Sequence, residues 1–289
     1  MTVLVTGGTG FLGSHLIHEL QKGNKNVIVL KRTSSEIWRI ADIAKDIKFY
    51  DIDSDGIEKA FKEQHIDVVI HTACSYGRNN EALSSIVETN VLLGLRVLEC
   101  AIDFNTDTFF NTDTLLQKYL NAYSLSKKQF VEWLKQQSDK IKVINMKLEH
   151  MYGPKDDSRK FVPWFIQQLQ ENVAKIPLTK GIQQRDFVYI DDVVSGYMTV
   201  LDNIQKLQQF SEFDVGSGEL VSVKNFVTEI SMEFKRLHQE NITMLEFGAL
   251  PYRQGEPMTV DVNIEPLKKM GWRPNVDYKT GIRRILKEF

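Results

Sequence analysis

Tyr123 and Lys127 stand four residues apart in the run Tyr123-Ser124-Leu125-Ser126-Lys127, so a helix there carries a phenol and an ammonium on one face. A free phenol titrates near pH 10. A neighbouring cation favours the phenolate and makes the group a working acid or base near neutrality. The spacing alone recurs by chance on solvated helices; the segment before it adds weight. Phe109-Phe110-Asn111-Thr112-Asp113-Thr114 reads as a strand end presenting hydroxyls, and Thr112 is suited to hold a carbonyl oxygen as charge develops on it. Thr112, Tyr123 and Lys127 are therefore the candidate catalytic residues, for chemistry that moves a proton together with a hydride.

The chain opens with a second motif, Thr6-Gly7-Gly8-Thr9-Gly10-Phe11-Leu12-Gly13. Gly7, Gly10 and Gly13 follow an apolar strand and precede a helix. That arrangement gives a tight turn, close backbone approach to a pyrophosphate, and a helix N-terminus aimed at it. The alternative is an ordinary strand-turn-helix. The expected dinucleotide contacts are Gly7, Thr9, Gly10, Phe11, Leu12 and Gly13, then Thr72 and Ala73 after a later strand, with Tyr123 and Lys127 at the nicotinamide end. NAD sites usually carry a carboxylate at the end of the second strand. Here that strand runs into Lys31-Arg32-Thr33-Ser34. Arg32 and Ser34 suit a 2′-phosphate, which a carboxylate would repel, so NADP(H) is the expected cofactor. A basic pair that merely solvates a loop is the competing reading. Asp51 and Ile52, ending the third strand, read as adenine contacts, with a turn aspartate as the alternative.

These residues need a scaffold. Short apolar strands at 3–6, 27–30, 47–50, 68–71, 108–111 and 142–148 alternate with helices at 14–22, 86–104 and 121–137. That rhythm predicts an α/β fold, a doubly wound parallel sheet of Rossmann type with a smaller C-terminal α/β substrate-binding region. Residues 1–150 form the expected dinucleotide-binding domain, with part of 186–215 returning to it, and 151–289 mainly the substrate domain. A helix at 161–170 and a strand 187–190 followed by a helix at 191–203 belong to the second part. Asp191-Asp192 reads as a helix cap; Trp133, Trp164 and Trp272 read as packing anchors.

The chain has 289 residues, 42% of them hydrophobic, and a net charge of −2, which suits real cores and offers no basic field for nucleic acid. Two cysteines, Cys74 and Cys100, in apolar contexts read as reduced thiols. No apolar run approaches a membrane span and no secretory signal is read, so a cytoplasmic location is expected. His15 and His18 share a helix but lack a third ligand nearby in sequence; no metal site is expected.

Together, the glycine turn, His71-Thr72-Ala73-Cys74, Asn90, Thr112, Tyr123 with Lys127, Tyr152-Gly153-Pro154 and Arg185-Asp186-Phe187-Val188-Tyr189-Ile190-Asp191-Asp192 resemble the extended short-chain dehydrogenase/reductases. The resemblance spans nearly the whole chain. It implies a nucleotide-diphosphate sugar as substrate, a homodimer packed through the helices after the fourth and fifth strands, and Thr112, Tyr123 and Lys127 as the catalytic triad. It also places Arg185 and Arg253 at the sugar-nucleotide diphosphate, and Asp113 and His150 beside the substrate. Competing readings are a surface salt bridge with Asp186 or Asp191 for Arg185 and a core histidine for His150.

Asn111-Thr112-Asp113-Thr114, Met146 to Pro154 and Phe247-Gly248-Ala249 are similar to a narrower group, NADPH-dependent 4-ketoreductases of CDP-linked 4-keto-3,6-dideoxyhexoses that serve O-antigen synthesis. One departure disfavours a neighbouring chemistry. The family's 4,6-dehydratases follow the catalytic threonine with Asp-Glu, and here Thr114 takes the glutamate's place. The expectation is reduction of a 4-keto sugar nucleotide. The rivals are a 4-epimerase that retains its cofactor and a catalytically silent NADP-binding regulator.

Overall fold

The computed structural model describes residues 1–77, 80–253 and 255–288. In the first half, β1 (Thr2–Thr6), α1 (Phe11–Lys22), β2 (Asn26–Lys31), β3 (Lys48–Asp51), α2 (Gly56–Glu63) and β4 (Val68–His71) come first. Then follow α3 (Leu83–Val87), α4 (Leu93–Asp103), β5 (Thr108–Thr114), α5 (Ala122–Gln136) and β6 (Lys142–Leu148). The second half holds β7 (His150–Tyr152), α6 (Phe161–Gln170), β8 (Lys175–Leu178), β9 (Gln184–Tyr189), α7 (Ile190–Asp202) and β10 (Phe210–Val215). It ends with β11 (Leu220–Ser222), α8 (Val223–Leu237), β12 (Met244–Phe247), α9 (Glu265–Lys269) and α10 (Tyr278–Leu286).

Seven strands make one parallel sheet in the order β10-β6-β5-β4-β1-β2-β3. The chain leaves β1 in one direction along the sheet and β4 in the other, so a crevice opens between their carboxyl ends, where such sheets bind ligands. Strand residues alternate between faces. Val3 and Val5 pack with Leu16, Ile17 and Tyr197 beneath α1 and α7, while Leu4 packs with Leu98, Phe130 and Leu134 beneath α4 and α5. The sheet is thus covered on both sides, as the near-continuous apolar strands require. β10 comes from the second half of the chain and pairs with β6. Beside the main sheet lie a three-stranded sheet, β11-β9-β7, and a pair, β12-β8.

The helix expected over 86–104 starts earlier and is not uniform: Glu88–Leu92 is a π-turn between α3 and α4. Its wider winding carries Asn90 into the core. There Asn90 Oδ1 accepts the Ser75 amide at 2.7 Å, and Nδ2 donates to Ser75 O and to Ser126 Oγ, each at 2.9 Å. That bridge ties the loop after β4 to α5.

Asp191 and Asp192 do not cap α7; the N-cap residue is Tyr189, with no side-chain capping bond. Asp192 is buried and accepts the backbone amides of Asn275 and Val276, both at 2.9 Å, fastening the C-terminal segment to α7. Asp191 reaches Arg284 at 3.3 Å. Trp272 is a packing anchor, its indole donating to Ser195 Oγ at 2.9 Å. Trp133 and Trp164 are exposed instead. His15 bonds Pro154 O, and His18 bonds Ser14 O and Asp42.

Removing the Asp192 carboxylate strands two backbone donors, of which the Val276 amide is buried. Asp192→Ala is expected to lower unfolding stability by roughly 2–4 kcal/mol in urea titrations, against a change below about 0.5 kcal/mol for the exposed Asp191→Ala.

Candidate functional site

A cleft of about 1770 Å³ runs along the carboxyl edge of the sheet, and most of the residues singled out from sequence line it. Its floor at the β1 end is the glycine turn. Gly7 has φ +67°, and a Cβ there would lie 2.6 Å from the Ala73 amide nitrogen. A Cβ on Gly13 would lie 2.3 Å from Gly7 O. Glycine at these two positions lets the turn close against the end of β4 and keeps its backbone open to the cleft. Gly10 is the N-cap of α1 and supplies no side-chain cap, so the free amides of the first turn are left for an anion. Thr9, Phe11, Leu12, Thr72 and Ala73 border this region, as expected.

Two cations border the turn that sequence reasoning passed over. Arg39 donates from Nη1 to Thr9 O at 3.3 Å and from Nε to Lys155 O at 2.8 Å, bracing the turn from the loop after β2. Lys160, at the start of α6, holds Asp156 at 2.8 Å and stands 5.0 Å from the centre of the Phe11 ring. Neither lies in a recognisable motif; each reaches the cleft through tertiary folding.

At the end of β2, Lys31 and Arg32 line the cleft. Ser34 does not: it is exposed, and Ser35 lines the cleft instead. Ile52 and Asp53 line it at the end of β3, whereas Asp51 borders a shallower neighbouring hollow. The Asp51 carboxylate accepts the Thr33 hydroxyl, a bond that holds it below the usual carboxylate range. Asp53 accepts the Thr33 amide at 2.8 Å.

The centre of the cleft belongs to α5. Asn121 and Ser124 form a reciprocal capping box at its start, fixing where the helix begins and hence which face Tyr123 and Lys127 share. Tyr123 is half-buried, with Tyr76 beside it at 5.0 Å between ring centres. Tyr76 was not singled out from sequence; it comes from the loop after β4. Neighbouring Cys74 and burial both push the Tyr76 hydroxyl above its ordinary value, so it stays neutral. Lys127 is only 1% exposed. Burial pulls its ammonium below the usual value, and Cys74 and Asp113 pull it back. Thr112 Oγ1 meets the buried Tyr197 hydroxyl at 2.8 Å. Asp113, the next residue, turns to the opposite face, and its carboxylate takes Lys128 Nζ at 2.7 Å. That side chain is 1% exposed and paired with Lys128, and the residue borders the cleft beside Thr112.

The far end carries His150, Arg185 and Arg253. His150 is exposed, not a core histidine, and its Nδ1 meets Glu149 Oε1 at 2.6 Å. Arg185 is buried, with Glu256 as its partner rather than Asp186 or Asp191. Asp186 instead accepts the amides of Ser217 and Gly218 at 2.5 and 2.7 Å. Arg253 is exposed.

A parallel sheet with this edge, an open helix N-terminus and a phenol-ammonium pair defines a nicotinamide-dinucleotide oxidoreductase fold. The sequence profile described as the NAD dependent epimerase/dehydratase family matches residues 3–216, and the chain belongs to that family. It is 34% identical over 298 residues to CDP-abequose synthase of Salmonella typhimurium, covering 99% of this chain and 97% of that protein. Against the CDP-abequose synthase of Salmonella muenchen it is 31% identical, covering 98% and 96%. The fold superposes on UDP-glucose 4-epimerase of Thermotoga maritima with a TM-score of 0.84 at 21% identity, covering 100% and 98% of the two chains. It also superposes on DesIV, a dTDP-glucose 4,6-dehydratase of Streptomyces venezuelae, with a TM-score of 0.83 at 21% identity, covering 100% and 96%.

His71, at the end of β4, is fully buried, and burial pulls its imidazole down to about 3. A folded-state value below the unfolded one means that the unfolded chain takes up a proton that the folded chain refuses. Stability is then expected to fall as pH drops from about 6.5 towards 3. His71→Leu should reduce that slope, by up to about 1.4 kcal/mol per pH unit in urea titrations run across the window.

Proposed function

We propose that this enzyme reduces the 4-keto group of a nucleotide-diphosphate deoxyhexose with NADPH to make a sugar for surface polysaccharide, a reading that its similarity to CDP-abequose synthases supports. The observation that carries the reading is the Tyr123–Lys127 pair in the cleft, set in a chain alignable end to end with those relatives. The cradle fits a dinucleotide: a Cβ at Gly7 or Gly13 would collide with backbone, and the α1 amides are open. When bound, the reduced nicotinamide supplies a hydride to the sugar carbonyl.

The chain's own residues do the rest. Thr112, with Tyr197 behind it, orients the carbonyl oxygen. Tyr123 delivers the proton that the new alkoxide takes. Lys127 holds the nicotinamide ribose and, as a cation beside the phenol, eases that transfer. Lys31 and Arg32 meet the 2′-phosphate. Arg185 and Arg253 grip the diphosphate, with Arg185 exchanging a carboxylate for a phosphate. We assign residues 151–289, apart from the stretch that returns to the sheet, to sugar-nucleotide binding.

The 4-epimerase reading draws support from Asp53, a carboxylate lining the cleft near the end of β2. NAD that stays bound through purification would favour it.

We also propose a homodimer packed through α3, α4 and α5. Leu83, Val87, Leu92 and Trp133 are apolar and exposed on or between these helices. Light scattering should give twice the chain mass for the wild type and a monomer for Trp133→Glu.

Three measurements test the reductase. A panel of 4-keto sugar nucleotides should consume NADPH. Tyr123→Phe should cut turnover by about 100-fold or more while NADPH binding holds; unchanged turnover refutes the assignment. Arg32→Ala should weaken NADPH binding by about 10- to 100-fold and leave NADH binding alone, read by cofactor fluorescence.

A further inference from the structure

Behind Lys127, on the α5 side of the sheet, lies a polar cluster that the proposed reaction does not use. His71, Asn111 and Asn145 occupy one row of register across β4, β5 and β6, and Asp113 is two residues further along β5 on the same face. All four are buried. Asn111 Nδ2 donates to Asn145 Oδ1 at 2.8 Å, and Asn145 Nδ2 reaches Asp113 Oδ2 at 3.3 Å and Glu212 at 3.1 Å. His71 Nδ1 pairs with Thr6 Oγ1 at 2.8 Å. Among the described residues, His71 Nε2, Asn111 Oδ1 and Asp113 Oδ1 have no partner in the protein. Three orphaned polar atoms on one buried face of an otherwise bonded network need an explanation, and polar sites of this kind hold ordered water.

We propose that Asp113 is a positioning residue for Lys127, and that its unbonded oxygen, with Asn111 Oδ1 and His71 Nε2, lines a buried water site that holds the ammonium from behind. The inference rests on the reductase reading for its kinetic consequence, but not for the site itself.

The titratable and charged groups facing Lys127 are His71 at the end of β4, Cys74 in the loop after it, Asp113 on β5, and Tyr123 and Lys128 on α5. Asp113 is the acidic residue on the sheet whose charge acts on Lys127, and the Lys128 ion pair tempers that charge. Without Asp113, Lys128 faces Lys127 uncompensated. The phenol-ammonium pair then gives up its first proton at lower pH. Without Lys128, the full Asp113 charge acts on Lys127 and the proton is held to higher pH.

Two readouts test this. A crystal structure of the full chain at a resolution that places solvent should show a water within hydrogen-bonding distance of Asn111 Oδ1 and Asp113 Oδ1. In the pH profile of kcat for keto-sugar reduction, Asp113→Asn should move the alkaline limb down and Lys128→Met should move it up, each by roughly one pH unit. KM for NADPH should stay within about twofold of the wild type in both. A merely structural role would lower kcat at every pH and leave the limb in place. If Asp113→Asn does not fold, Lys128→Met carries the kinetic test. A well-ordered map without the water, or limbs that stay put or move the same way, overturns the proposal. Wild-type protein that reduces no keto sugar fails the reductase reading instead, and leaves the crystallographic result to decide.

Discussion

The cleft depends on burying one ammonium. Lys127 lies almost wholly out of water, and a lone buried cation would cost several kcal/mol or shed its proton. Neighbouring elements offset that cost. Asp113 on β5 and Cys74 in the loop after β4 both favour its charged form. The π-turn directs Asn90 to Ser126, so that the helix carrying Lys127 cannot slide along the sheet. The capping box at Asn121 fixes the helix start. A phenol one turn earlier then has a defined relation to a cation.

The rest of the cleft follows a similar rule. Cations suited to phosphate already hold protein carboxylates: Arg185 holds Glu256, and Lys160 holds Asp156. Such pairs keep long side chains in place, so under the proposed function an incoming phosphate would exchange one anion for another rather than order a flexible cation. At the glycine turn the anion's partners are backbone amides, which need no carboxylate to hold them. The two halves thus solve the same electrostatic problem with different groups.

The fold was legible because its signals are local. Apolar runs of strand length, separated by helices, describe a parallel sheet, and Gly7, Gly10 and Gly13 mark the turn that starts it. The phenol-ammonium spacing is equally local. What stayed hidden needs partners far apart in sequence. Arg39, Tyr76 and Lys160 enter the cleft through loops whose course no periodicity describes. Asp192 looked like a cap because an acid at a helix start usually is one, yet its acceptors' partners lie at Asn275 and Val276. Asp113 borders the cleft, but its pairing with Lys128 could not be read from the sequence: strand neighbours point to opposite faces, and the partner comes from α5. The π-turn escaped because a helix read at 3.6 residues per turn has no place for a wider one.

That alternation also bears on which reaction the cleft suits. Elimination of water from a sugar needs an acid and a base beside the carbons involved. In the family's dehydratases the two residues after the catalytic threonine are an aspartate and a glutamate. Here the second is Thr114, whose hydroxyl accepts the Leu116 amide at 3.2 Å. The first, Asp113, keeps its identity, and Lys128 and Asn145 engage its Oδ2. The second position carries no carboxylate. Tyr123 and Lys127 remain, and a phenol beside a cation is sufficient for proton delivery to a reduced carbonyl.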